Sequence, residues 1–471
     1  MIAALRDRLL EVGDRPMLID EHGNARSGRE LIARVERLAH LLASEGLVGQ
    51  RIGVWYENSF AAFEAYLAVE WVAATRVVLD PHAAPLEATE VLLAAGASTL
   101  LADAAHRAGM PLPLIAYDDD SELGAGSRPP EDELPAQRIL HLYPRAVRGG
   151  HLAAVPISYG NWRATIELNC RLYRSGGYGR WQEESEVMLT LQQLLHGTGL
   201  MGSFPFLHMG LPQVFARSFD PAATADLIDR HRVTSTGMTS AMLSVLLDAV
   251  PTGGLPSLRR LLYGGAPLGG DRLGRALDRL GDILVQVYGR LEGGWPLTIL
   301  DQDDHSAIAS GRADRAASCG RKVPDAHVEL RTSAQGELCT RSPMAVAEYC
   351  DADGWCGLGD LGRIDASGYV FLNGRLDTMV NTGYHVYPEE VEEALLALPG
   401  VAAARVIGQP DERRGQILAA YVVAEPDTAL EPEALRAALR GRLAAYKVPH
   451  AIWLVAALEQ SEQTKESEVS R

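Results

Sequence analysis

The chain has 471 residues, 47% of them hydrophobic and 22% charged, an ordinary globular composition with length for about three structural units. Its net charge of −17 excludes a duplex nucleic-acid binder, which needs a basic face against phosphate, and an anionic membrane surface as its main partner. Five cysteines with no C-x-x-C pair argue against a disulfide framework or a structural zinc site and fit a reducing, cytoplasmic location.

The opening MIAALRDRLLEVGDRP reads as an amphipathic helix with charges throughout, without the unbroken apolar stretch of a signal peptide. No run reaches the ~18–20 apolar residues of a membrane span. Residues 29–45 carry apolar positions at helical spacing. A strand (51–58), a helix (60–74) and a strand (75–81) follow. This alternation predicts parallel strands covered by helices. Residues 118–138 are acidic and rich in Pro and Gly, which predicts a surface linker, and RILHLYP after them reads as a buried strand. The strand–helix rhythm returns in SEVMLTLQ, LPQVFARS, VTSTGM, LRRLLYGG and ILVQVYG. Between 320 and 373, HVELRT, GELCTR and GYVFLNG alternate between Gly and Asp turns, which predicts antiparallel strands. A smaller α+β unit closes the chain, with helices over 388–398 and 431–444 and strands over 402–409 and 417–424.

Four constellations carry the chemistry: LYGGAPLGG around Tyr263, VYGRLEGG around Tyr288 and Glu292, GWCGLGDLGRID with Asp360, and GRLDTMVNTGYHVYPEEVEE with Arg375 and Asp377. Each alone also reads as a glycine turn beside a solvated charge. In this order, with LTLQQLLHGTGL, GELCTR and a terminal YKVP, the chain resembles the adenylate-forming superfamily of acyl- and aryl-CoA ligases, adenylation domains and luciferases, nearly end to end. The resemblance implies a large N-terminal domain (1–374) of mixed sheets covered by helices with an antiparallel β subdomain. It further implies a small mobile α+β C-terminal domain (375–471) hinged to it. In that family ATP and a carboxylate give an acyl-AMP and pyrophosphate, and a CoA or phosphopantetheine thiol then takes the acyl group.

Carried over residue by residue, Asp360 matches the acid that grips both ribose hydroxyls, as a two-oxygen acceptor can. Glu292 matches the acid for Mg²⁺, a hard ion that prefers oxygen ligands. Gly264, Gly265, Ala266 and Pro267 match the turn against adenine, Tyr288 and Gly289 the segment packing on that base, and Arg375 the contact to nucleotide oxygens. Asp377 matches the hinge. His196 matches the gate beside the acyl pocket, and a core histidine is the alternative. Only three of the 44 basic residues are lysines, and Lys465 stands at the family's spacing from Lys447, where the catalytic lysine belongs. A competing register puts Glu468 there.

The sequence departs from the family at the phosphate loop, a Ser/Thr/Gly-rich cradle with a lysine. Here the stretch is Pro144-Arg145-Ala146-Val147-Arg148-Gly149-Gly150-His151-Leu152. It lacks hydroxyls; Arg145 and Arg148 offer charge, but their bulk opposes a tight nest. Leu291 and Leu358 stand where the family has threonines. Three readings follow: a divergent ligase, acyl-transfer or condensation chemistry on a preformed adenylate or thioester without ATP, and a non-catalytic binding or partner homologue. No acid follows His196 in Gly197-Thr198-Gly199-Leu200-Met201, so a free α-amine on the substrate would be uncompensated. The expected substrate is a fatty, aryl or other carboxylate, or its thioester, with an acyl carrier protein as a partner; Met201, Phe204 and Met238 are candidate apolar lining, with core packing the stronger explanation for any one of them.

Overall fold

A computed structural model describes residues 1–103, 110–126, 134–148, 151–194, 196–265, 268, 270–376, 379–411, 415–425, 428–456 and 458. Its α/β architecture is the expected one. Among the described residues, a thirteen-stranded and a six-stranded sheet build the large lobe, and a three-stranded sheet with a two-stranded ribbon builds the small one. No described helix is long and apolar enough to cross a membrane.

Helix Phe60–Trp71 has every residue buried. A helix apolar all round belongs between layers, and this one contributes most of its residues to the largest core cluster. Its two acids are buried with arginine partners: Arg34 Nε lies 2.8 Å from Glu64, and Arg76 Nη2 lies 3.1 Å from Glu70. The helix Gly28–Ser44 starts where the Ser27 side chain and Glu30 exchange capping bonds, which satisfies two of its orphan N–H groups.

In the thirteen-stranded sheet, strands Gln213–Phe215, Met188–Thr190, Ser235–Thr239, Arg260–Gly264 and Leu284–Arg290 run parallel, the apolar runs expected of a doubly covered sheet. Gly294–Leu300 then turns back antiparallel, and the strands through Tyr369–Arg375 keep that sense. The sheet therefore changes character at the turn holding Leu291 and Glu292.

The six-stranded sheet ends in an antiparallel hairpin pair, Ile139–Arg148 with His151–Ser158, paired as far as Arg148 opposite His151. Residues 149–150 lie outside the described residues.

The small lobe has its own apolar cluster, from Val380 to Ile452, under helices Pro388–Leu396 and Pro432–Arg440. Arg375 is the last residue of a strand of the large sheet, and Leu376 N–H still donates to Gly359 C=O.

Candidate active site

The C-terminal ends of parallel strands leave backbone groups and turn residues open to a ligand. Here those ends carry Gly264–Gly265 and Tyr288–Gly289. A Cβ on Gly264 would sit 2.6 Å from Val287 C=O, so the close strand approach itself demands glycine. Gly265 has φ +86° with open space where a Cβ would point. Gly289 would meet Gly294 C=O at 2.6 Å. Ala266 and Pro267 lie outside the described residues.

Asp360 is buried on strand Cys356–Ile364, in register with Arg375 across the ladder. Tyr288 Oη donates to its Oδ2 at 2.7 Å, and Arg375 Nη1 lies 3.2 Å from Oδ1. Burial first, and then the Asp360 charge, push the Tyr288 hydroxyl well above its ordinary pKa, so it remains a donor. Each carboxylate oxygen still has acceptor capacity, the requirement for holding two adjacent hydroxyls. The sequence singled out all three residues; the bond from Tyr288 to Asp360 was not foreseen.

Glu292 is also buried, in the turn between Leu284–Arg290 and Gly294–Leu300. Arg145 of the hairpin forms an ion pair with its Oε1, and Arg290 Nη2 approaches the same oxygen at 3.5 Å. The expected metal role meets a donor set that does not suit it: with two guanidiniums facing the carboxylate, a divalent cation would meet like charge at close range. Among the described residues no three His, Cys, Asp or Glu side chains converge as a metal site.

His196 is the N-cap of helix Gly197–Met209. Burial holds its pKa below the ordinary value, so at neutral pH it is an uncharged ring. It faces Tyr384 of the small lobe, with ring centroids 5.5 Å apart. It is thus a domain-facing residue rather than a core histidine. A Cβ on Gly197 would lie 3.5 Å from both Leu291 and Met201, which places those apolar side chains together beside His196. Phe204 and Met238 are core instead: Phe204 packs edge-on against Trp162 at 5.6 Å, and Met238 belongs to a separate buried cluster.

The small lobe docks over this region through contacts that the sequence motifs did not announce. Tyr384 stacks on Tyr446 at 4.3 Å, and Tyr446 Oη donates to Asp80. Ala444 N–H donates to Glu87 Oε2 at 2.9 Å, while Lys447 Nζ bridges Glu87 and, at 2.6 Å, Glu390. Asn381 Nδ2 donates to Gly265 C=O at 2.7 Å, which joins the lobe directly to the glycine turn. Asp377 and Lys465 lie outside the described residues.

A two-lobed α/β enzyme fold with a buried acid clamp at strand ends, covered by a small α+β lobe, is the architecture of the adenylate-forming superfamily. The sequence profile of AMP-binding enzymes matches residues 5–140 and 150–350, and that of the AMP-binding enzyme C-terminal domain matches 390–465. The chain belongs to the AMP-binding enzyme family. It is similar to a feruloyl-CoA synthase of an Amycolatopsis species, 30% identical over 91% of this chain and 90% of that protein. It also resembles the fatty acid–acyl-carrier-protein ligase ScoC of Streptomyces coeruleorubidus, 34% identical over 54% of this chain and 52% of that one. Among solved structures, the amide bond synthetase McbA of Marinactinospora thermotolerans superposes with a TM-score of 0.83 at 27% identity, covering 96% of each chain.

Proposed function

We propose that the protein is an acid–thiol ligase. It takes an acyl or aryl carboxylate without a free α-amine as its acyl-AMP and passes the acyl group to a thiol of CoA or of a carrier-protein phosphopantetheine. The clamp of Tyr288, Asp360 and Arg375 carries this reading, because two buried-side donors fix a carboxylate with acceptor room left for a ribose. The named activities of the CoA synthase and the carrier-protein ligase support both kinds of thiol.

In this reading ATP and the carboxylate give acyl-AMP and pyrophosphate. The thiol sulfur then attacks the carbonyl carbon, the carbon–oxygen bond to AMP breaks, and the thiol proton passes to solvent. Asp360 holds the ribose, and the turn of Gly264, Gly265, Ala266 and Pro267 borders the adenine together with Tyr288 and Gly289. Arg375 meets nucleotide oxygens. His196 and Tyr384 border the acyl group and the thiol's approach. Lys465 neutralises charge developing between carboxylate and α-phosphate, a role its spacing from Lys447 supports. Asp377 is the hinge between lobes of residues 1–374 and 375–471, and the cytoplasm is the working compartment.

The hairpin over Pro144–Leu152 favours a second reading, in which the chain starts from a preformed adenylate or thioester with no ATP step. The two matched stretches of the family profile break between residues 140 and 150, across much of this segment. The test is a panel of fatty and aryl acids with ATP, Mg²⁺ and CoA or pantetheine, run beside the corresponding acyl-AMPs with thiol alone, with thioester read by mass spectrometry. Thioester from acid plus ATP supports the ligase. Thioester from acyl-AMP alone supports the second reading. No thioester in either arm contradicts both.

A further inference from the structure

Arg145 of the hairpin reaches Glu292, the acid that the family resemblance assigns to a metal-bound polyphosphate. Arg145 is held there from three sides: by the Glu292 carboxylate, by the Tyr349 ring at 5.5 Å and by the Tyr387 ring at 5.3 Å. Tyr387 caps helix Pro388–Leu396 of the small lobe, so the guanidinium also ties the lobes together. Arg290 brings a second guanidinium to 3.5 Å from the same oxygen, and leucines flank the turn: Leu358 is buried and reaches the position a Cβ on Gly293 would take, and Leu291 packs on the main core cluster. Two cations at one carboxylate oppose a third, the more so a magnesium ion, which keeps most of its waters.

We propose that Arg145 is a built-in counter-ion that takes the place of a divalent metal at Glu292, so that the site binds nucleotide at the monophosphate level and without metal. The inference rests on the second reading, in which the acyl-AMP arrives preformed, and deepens it: the chain handles acyl-AMP and AMP, and an arginine of its own supplies the cation that a metal–triphosphate complex would otherwise bring. Acyl transfer to a thiol then needs no divalent ion, since AMP leaves as a monophosphate and no pyrophosphate is formed.

Calorimetric titration of the full chain with AMP and with ATP, each in Mg²⁺ and in EDTA, tests this. The expected result is AMP binding that changes less than about twofold between the two conditions, and ATP binding that Mg²⁺ does not strengthen. In Arg145→Ala, and in Arg145→Gln as the bulkier variant, Glu292 is left facing the site, and Mg²⁺ should strengthen ATP binding by about tenfold or more. Adding Glu292→Gln should abolish that gain. Wild-type ATP binding that rises about tenfold with Mg²⁺ and loses the rise in Glu292→Gln would overturn the proposal. So would Arg145 variants, folded by circular dichroism, that stay indifferent to metal; if both variants unfold, the wild-type comparison decides alone. Failure of AMP to bind in either condition contradicts the acyl-AMP reading itself, a separate outcome.

Discussion

The buried acid at 360 has two named donors, and its local stability follows from them. Removing the Tyr288 hydroxyl leaves a buried carboxylate oxygen short of a hydrogen bond. Hydrogen bonds to charged groups contribute about 1.5–3 kcal/mol, so Tyr288→Phe should lower unfolding free energy by about that amount in guanidinium titrations. An unchanged midpoint would mean the bond is idle in solution. Leu358 offers a second test. Its place in the buried cluster predicts that Leu358→Thr, which restores the residue expected in the family, costs about 2–4 kcal/mol rather than stabilising. At this scale the local motifs were legible, because Asp360, Arg375, Tyr288 and Glu292 each lie in a short pattern with glycine turns. The partner of Glu292 was not. Arg145 lies far off in sequence, on a strand of the other sheet, and no spacing rule announces such a pair.

Among elements, the segment after RILHLY shows what sequence reading missed and why. The stretch is set against a phosphate loop residue by residue, and its pairing with His151–Ser158 depends on partners that such a comparison does not contain. Where the lobes dock, Lys447 stands between acids from both lobes. Burial opposes its charge, but Glu390 and Glu87 outweigh that and hold its pKa above the ordinary value. Burial raises the pKa of Glu390, and Lys447 partly offsets it. Removing one partner from a buried pair typically costs about 3–5 kcal/mol. Glu87 belongs to the large lobe, and it also accepts from Ala444 N–H, so Glu87→Gln should weaken docking more than it harms either core. Small-angle scattering should then show a larger radius of gyration, with faster proteolysis near residues 376–379. An unchanged scattering curve would show that the contacts of Tyr384 with His196 and of Tyr446 with Asp80 suffice for docking.

Over the whole molecule, the alternation of apolar runs gave away the parallel sheet and its change to antiparallel strands, because a doubly covered sheet writes its burial into consecutive residues. Lobe docking was invisible, since its contacts are polar pairs between distant segments. Acid sensitivity is likewise a whole-chain property. Burial holds His141 and His305 below the ordinary histidine pKa, and Arg76 lowers His141 further. The unfolded chain therefore takes up protons near pH ~6.5 while the folded chain does not, so folding stability falls as pH drops below that point. The slope is up to ~1.4 kcal/mol per pH unit for each such histidine. Thermal unfolding should show the melting temperature falling from neutral pH toward about pH 5, and His305→Gln should make that fall shallower. A flat profile would mean that the rings are protonated in the folded state.

The account turns on a carboxylate at position 360 that grips the hydroxyls of a nucleotide sugar. Calorimetric titration of AMP and 2′,3′-dideoxy-AMP into the wild type and Asp360→Asn measures this grip without needing the acyl substrate. The account predicts that wild type prefers AMP by about tenfold or more, and that Asp360→Asn loses most of the preference. Equal binding of the two nucleotides by the wild type, or a preference that survives in Asp360→Asn, would contradict it.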